Sequence, residues 1–163
     1  MMKKFELMTE SKMNVFGKTL FRIRALVDFS FVKAGDVGGW IEEEGNLSQY
    51  GNAWVYGNAE VYGDARVYGN ARVSGDAEVY GNAEVYGNDD YTTIKGFGTC
   101  FRTTTFFRCK DKTVKVACGC FLGTIAEFRK QVKRTRSGKI AKEYLMIADL
   151  MEMHFKEGED EQY

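Results

Sequence analysis

The chain is short of histidine, of long apolar runs and of closely paired cysteines, and each shortage removes a class of function. Its one histidine, His154, stands close to the C-terminal end. No run of about 18 apolar residues occurs, so no membrane-spanning helix is expected. The opening Met1-Met2-Lys3-Lys4-Phe5-Glu6-Leu7 is basic but has no apolar segment behind it. That predicts a chain without a secretion signal, held in the cytoplasm and away from membranes. Cys100, Cys109, Cys118 and Cys120 are then reduced thiols by default. Zinc sites take thiolates in close pairs, and these four are separated by eight, eight and one residues. Buried small hydrophobes are therefore the expectation, with no metal and no cofactor. No Walker loop, Gly-x-Ser-x-Gly or His-Glu-x-x-His sequence is present either.

What the chain has is a repeat. Glycine recurs at 39, 45, 51, 57, 63, 69, 75, 81 and 87, an unbroken period of six. Ala53, Ala59, Ala65, Ala71, Ala77 and Ala83 hold a second position, and Val55, Val61, Val67, Val73, Val79 and Val85 a third. Ala and Val stand two apart, so in an extended strand both point to one face. Gly followed by Asn or Asp tolerates the positive φ that a turn needs. Six is not a helical period, and collagen needs glycine at every third residue. A hexad repeat is the signature of a parallel β-helix.

The register resembles that of the hexapeptide-repeat, left-handed parallel β-helix family, in which an aliphatic residue is followed four positions later by a small one. Val55 with Ala59, and Val61 with Ala65, match that pattern. The resemblance implies left-handedness and three hexads per coil, hence about three coils over residues 39–92. Side chains 18 apart then stack. That puts Tyr50, Tyr68 and Tyr86 in one column and Asn52, Asn70 and Asn88 in another. Trp54 lies under Arg72, Arg66 on Glu84, and Glu60 on Glu78. Small Ala and Val interiors cannot by themselves offset the ordering of so much backbone, and open ends expose unpaired strands. Caps and side-by-side association are expected, and because the family is commonly trimeric, a homotrimer is the leading expectation.

The flanks differ. Residues 1–38 read as an N-terminal β cap, with strands at 4–8 and 19–26 around turn material at 14–17. Residues 93–163 read as an α+β domain. A hairpin spans 103–109 and 113–118, and the Thr124-Ile125-Ala126-Glu127 capping box starts a helix. A second helix spans 140–155, with a core stripe of Ile140, Tyr144, Ile147, Met151 and Phe155. Residues 157–163 look like a frayed acidic tail. The whole is expected to be mainly β, a short left-handed parallel β-helix between two caps.

The net charge of zero hides a segregation: +3 over residues 1–38, −8 over 39–92 and +5 over 93–163. Two candidate surfaces follow. Tyr50, Tyr68, Tyr86, Arg72 and above all Trp54, which interrupts a charged position of the repeat, form an aromatic face for a protein or planar ligand. The same tyrosines could instead merely cover and stabilise the strand surface. Arg129, Lys130, Lys133, Arg134, Arg136, Lys139 and Lys142 form a basic cluster that suits phosphates or nucleic acid, or else a solvated helix face that pairs with acidic neighbours. The acidic repeat could equally imitate nucleic acid toward a basic partner.

Many hexapeptide-repeat proteins are acyltransferases with a histidine at a coil surface. This chain has none in the repeat and lacks the long loop that usually interrupts the coils. General-base chemistry of that kind has no candidate, and His154 reads as a cation suited to a helix C-terminus. No enzyme is expected.

The Val-Tyr-Gly-Asn-Ala units, with 31–40 before them and Thr103-Thr104-Thr105-Phe106-Phe107-Arg108 after, resemble phage and prophage proteins often labelled polymer-forming or cytoskeletal. This chain stops at nine hexads, which argues against open filaments. The resemblance implies a phage-encoded, non-enzymatic oligomeric binder in the host cytosol. It would block a host protein, as an anti-CRISPR does, or capture a phosphorylated ligand, as a nucleotide sponge does. A purely structural, polymer-forming module and a degenerate acyltransferase are the alternatives.

Overall fold

The computed structural model describes residues 2–156; the acidic tail at 157–163 lies outside them. Strands β1 (Phe5–Met13) and β2 (Thr19–Ala25) form an antiparallel hairpin. Its turn is closed by the Asn14 side-chain oxygen, which accepts from the Phe16 and Lys18 amides, both at 3.0 Å. β2 pairs antiparallel with β3 (Val37–Ile41). The hexads then supply six strands of two residues each: β4 (Trp54–Val55), β5 (Glu60–Val61), β6 (Arg66–Val67), β7 (Arg72–Val73), β8 (Glu78–Val79) and β9 (Glu84–Val85).

These short strands pair in parallel one 18-residue step apart. Trp54 lies beside Arg72, Glu60 beside Glu78 and Arg66 beside Glu84, the neighbours that an 18-residue step implies. Every inward Ala and Val of the repeat is buried. The turns are tight: the Ala59 amide donates to the Tyr56 carbonyl at 3.1 Å across Gly57, whose φ is +57°. Gly69 needs both its positive φ of +64° and its missing side chain, because a Cβ there would meet the Tyr86 carbonyl at 2.4 Å.

The expected fold class is corrected. In place of a short left-handed parallel β-helix, the strands sort into four small sheets beside two helices. One sheet is five-stranded and mixed (β1-β2-β3-β5-β8), one is four-stranded and antiparallel, and two are the parallel pairs β4-β7 and β6-β9. The reason is strand length. A two-residue strand offers too little ladder to build an extended parallel sheet, and one stack instead grows sideways into the antiparallel N-terminal hairpin.

Each end of the repeat is sealed by side chains of matching polarity. At the first turns, backbone carbonyls lack a partner layer and receive donors. The buried Lys4 ammonium donates to the carbonyls of Tyr50, Gly51 and Ala53 at 3.5, 3.4 and 2.8 Å. Asn46 Nδ2 donates to the carbonyls of Gly63 and Ala65 at 3.1 and 2.9 Å. At the last turns, backbone amides lack a layer and meet acceptors. Asn88 Oδ1 accepts from the Arg72 amide at 2.7 Å and Thr105 Oγ1 from the Glu78 amide at 3.0 Å. The Tyr91 hydroxyl accepts from the Ser74 amide at 3.3 Å, and Asp90 Oδ2 from the Tyr86 amide at 2.8 Å. Buried backbone groups must be paired, and these side chains do it. Burial, with no carboxylate beside it, pulls the Lys4 ammonium down to about 8.

The last sheet is antiparallel: β10 (Tyr91–Ile94), β11 (Thr104–Arg108), β12 (Val114–Cys118) and β13 (Phe121–Thr124). Its period-two alternation serves two cores. Phe107 and Ala117 face the repeat, while Phe106 and Val116 face the helices. Helix α1 (Ile125–Thr135) starts at the expected capping box, with the Glu127 amide donating to Thr124 Oγ1 at 3.1 Å. Helix α2 (Gly138–His154) buries Tyr144, Ile147 and Met151. Among the described residues no helix is long and apolar enough to cross a membrane.

Candidate functional site

The repeat presents three outer faces, and their covering decides which can bind. The first carries Trp40, Glu60 and Glu78 and lies under the hairpin. Lys12 pairs with Glu60 at 3.0 Å and reaches over the Trp40 ring. Phe16 covers Tyr62 and Tyr80, whose rings stack at 4.7 Å and 7°. Their hydroxyls are buried without a partner, and burial next to Glu78 pushes that of Tyr80 up to about 12. Burial, and then the Glu60 carboxylate beside it, raise the Glu78 carboxyl, against the pull of Lys12 and Arg102.

A raised carboxyl holds its proton more tightly when folded, so stability falls as pH rises from its unfolded titration through its folded one. Glu78→Gln is therefore expected to be more stable than wild type at neutral pH by about 0.5 kcal/mol, the scale of a like-charge cross-strand pair. The gain should vanish once acid neutralises Glu78 in both states. Melting curves across that pH range measure it, and a gain that grew on acidification would refute it.

The second face carries Trp54 and Arg72, and here the expectation of a contact site is corrected. Trp54 is only 1% exposed. Its ring packs edge-on against Phe29 at 5.4 Å and Phe5 at 6.3 Å. Arg72 is half-buried, donating to Ser30 Oγ at 3.1 Å and lying over the Phe31 ring. Residues 29–31 close this face, so an outward position of the repeat becomes the core of the molecule.

The third face, built by β6 and β9, is open. Tyr50 and Tyr86 are 67% and 62% exposed, and Tyr68 is half-buried between them. Tyr68 meets Tyr86 edge-on at 4.9 Å, and its hydroxyl donates to Glu84 Oε2 at 3.4 Å. Burial and then the Glu84 carboxylate raise the Tyr68 hydroxyl. Alongside runs a groove of about 660 Å³ lined by Leu47, Tyr50, Val67 and Tyr68, with Arg66 and Glu84. A second cavity of about 420 Å³ shares Arg66 and Glu84 and adds Glu43, Asp64 and Lys110. Three of the five expected contact residues, Tyr50, Tyr68 and Tyr86, thus converge here.

No family model matches the chain, and no curated protein does. The site must be read from its own chemistry.

The basic cluster lies apart from these tyrosines, on α1, α2 and the link between them. Lys130, Lys133, Arg134, Arg136, Lys139 and Lys142 are exposed. Arg129 is not available to a ligand, because it pairs with Asp149 at 2.8 Å and Glu152 at 2.6 Å of α2. Arg102, which sequence reasoning missed, joins Arg136 in lining a small cavity of about 80 Å³. Among the described residues no three His, Cys, Asp or Glu side chains converge as a metal site. Cys109 is buried as a small hydrophobe should be, but Cys100 and Cys120 are exposed. Hydrogen bonding to the Arg102 guanidinium lowers the Cys100 thiol.

α2 carries a feature that the sequence reading overlooked. Met146, Leu150 and Met153, at spacings of four and three, form an exposed apolar ridge beside the buried stripe.

Proposed function

We propose that this is a non-enzymatic, oligomeric binding protein that engages a protein partner through its Tyr50–Tyr68–Tyr86 face. The observation that carries the reading is selective covering. Two outer faces of the repeat are closed by the chain's own N-terminal residues, while the third keeps two large tyrosine rings in solvent beside a groove. Exposed tyrosines around an apolar cleft are the composition of protein-binding hot spots. The sealed ends favour a finite module over a polymer, since side chains already bond backbone groups there that would otherwise template growth. The repeat offers no histidine to a degenerate acyltransferase. The resemblance of the repeat to phage and prophage proteins supports a setting in the host cytosol, with a host protein as target.

The double variant Tyr50→Ala/Tyr86→Ala is expected to weaken capture of that target by about 100-fold or more, the loss of two hot-spot side chains. Its circular dichroism should match wild type, because both rings lie on the surface of the chain. Capture at wild-type affinity would remove the face from the function. A second reading, capture of a phosphorylated ligand, rests on the six exposed cations of α1 and α2. It is supported only if binding survives the tyrosine changes and fails on reversing Arg136 and Lys139.

A further inference from the structure

We infer that the tyrosine face is occupied, in the free protein, by the α2 ridge of a second copy, so that chains join head to tail. The inference rests on the reading of that face as a protein-docking surface and names the occupant.

Two exposed apolar features lie on separate parts of one chain, and their dimensions agree. Met146 to Met153 spans seven residues of helix, about 10.5 Å at 1.5 Å per residue. Tyr50 to Tyr86 spans two strand steps, about 9.6 Å at 4.8 Å each. A helix face with anchors at i, i+4 and i+7 is the shape that fills an apolar groove. Methionine is suited to the occupancy, because its flexible thioether adapts to irregular clefts and packs well at the edge of aromatic rings.

Charge agrees as well. Lys142 and Lys139 continue the ridge toward the N-terminus of α2, both exposed and without an ion pair among the described residues. The groove and its neighbouring cavity hold four carboxylates, Glu43, Glu44, Asp64 and Glu84, against the two cations Arg66 and Lys110, and the repeat carries −8 against +5 for the segment that carries α2. Among the described residues the ion pairs between these two segments are Lys95 with Asp76 and Arg108 with Asp90, and neither involves α2. Ridge and groove are different surfaces, so the contact is heterologous, and the finite assembly that it makes is a closed ring.

The test uses two full-length variants. Met146→Glu/Met153→Glu removes the ridge and keeps the groove, and Tyr50→Ala/Tyr86→Ala does the reverse. All four side chains are exposed, and circular dichroism checks that both variants fold. In sedimentation velocity at micromolar concentration, wild type should run as an oligomer and each variant as a monomer. Mixed one to one, the variants should recover a dimer and nothing larger, because each supplies the half that the other lacks. The oligomer should also weaken as salt rises. A monomeric wild type overturns the inference. So does a tyrosine variant that still assembles, since α2 would then pack on itself, or a mixture that stays monomeric. The reading of the face fails separately: if the tyrosine variant keeps full affinity for its target, the face is not the binding surface whatever the assembly does.

Discussion

Replacing Trp54 with alanine is expected to cost about 3–5 kcal/mol, the range for emptying a large aromatic site in a packed core. The ring is the largest of the fully buried side chains and is gripped from the N-terminal side by Phe5 and Phe29. Its loss would leave a cavity where the segment at 29–31 meets the repeat, with only the Arg72 contacts to Ser30 and Phe31 remaining on that face. Urea unfolding should show the midpoint moving far down, with binding lost only in proportion to the unfolded fraction. A Trp54→Ala protein that melts like wild type yet no longer binds would return this residue to the surface role that its sequence position suggested.

The second large effect concerns a single amide. Asn46 is buried, and its side chain satisfies four backbone groups at once. Its Oδ1 accepts from the amides of Glu42 and Glu43 at 3.1 and 2.9 Å, while Nδ2 donates to the carbonyls of Gly63 and Ala65. Asn46→Leu keeps the size and removes every bond. The Glu42 amide keeps its bond to the Val61 carbonyl at 3.2 Å, so three orphaned groups at about 1 kcal/mol or more each predict a loss of about 3 kcal/mol. Asn46→Asp keeps the two acceptor contacts and points a carboxylate at two carbonyls, so it should be no better. A loss under about 1 kcal/mol for the leucine variant would mean that water enters and takes over the bonds.

These two residues also mark where sequence reading stopped. The hexad period was legible because glycine, alanine and valine recur without a gap, while the 18-residue step came only with the resemblance; the capping box at Thr124 and the stripe through Tyr144, Ile147 and Met151 were legible from local spacing. Trp54 was misplaced because period two assigns a side chain to the outside of a strand, and outside the repeat is not outside the molecule. Which face is closed depends on a hairpin and a loop from residues 1–38, a packing fact that no periodicity contains. Asn46 occupies the ordinary Asn/Asp position of its hexad and looks like a surface turn residue until the missing layer above it is known. The parallel β-helix expectation failed for a related reason: the hexads specify their own pairing, but not that the N-terminal hairpin would extend one stack as an antiparallel sheet. The α2 ridge, by contrast, could have been found. Met146, Leu150 and Met153 carry the same spacing as the stripe beside them, and an apolar helix with two stripes has one to spare.

The sealed ends have a consequence for how such a chain can change length. Lys4 and Asn46 at one end and Asn88, Tyr91, Thr105 and Asp90 at the other recognise only bare carbonyls and bare amides, not particular side chains of the turns between them. A duplication of 18 residues inside the repeat would return every face to its place and present the same backbone to both seals. A duplication of six would rotate the far seal onto the wrong face. Evolution can therefore lengthen or shorten this molecule like a telescope with fixed stops, in whole steps of three hexads, and each step would add one tyrosine to the open column.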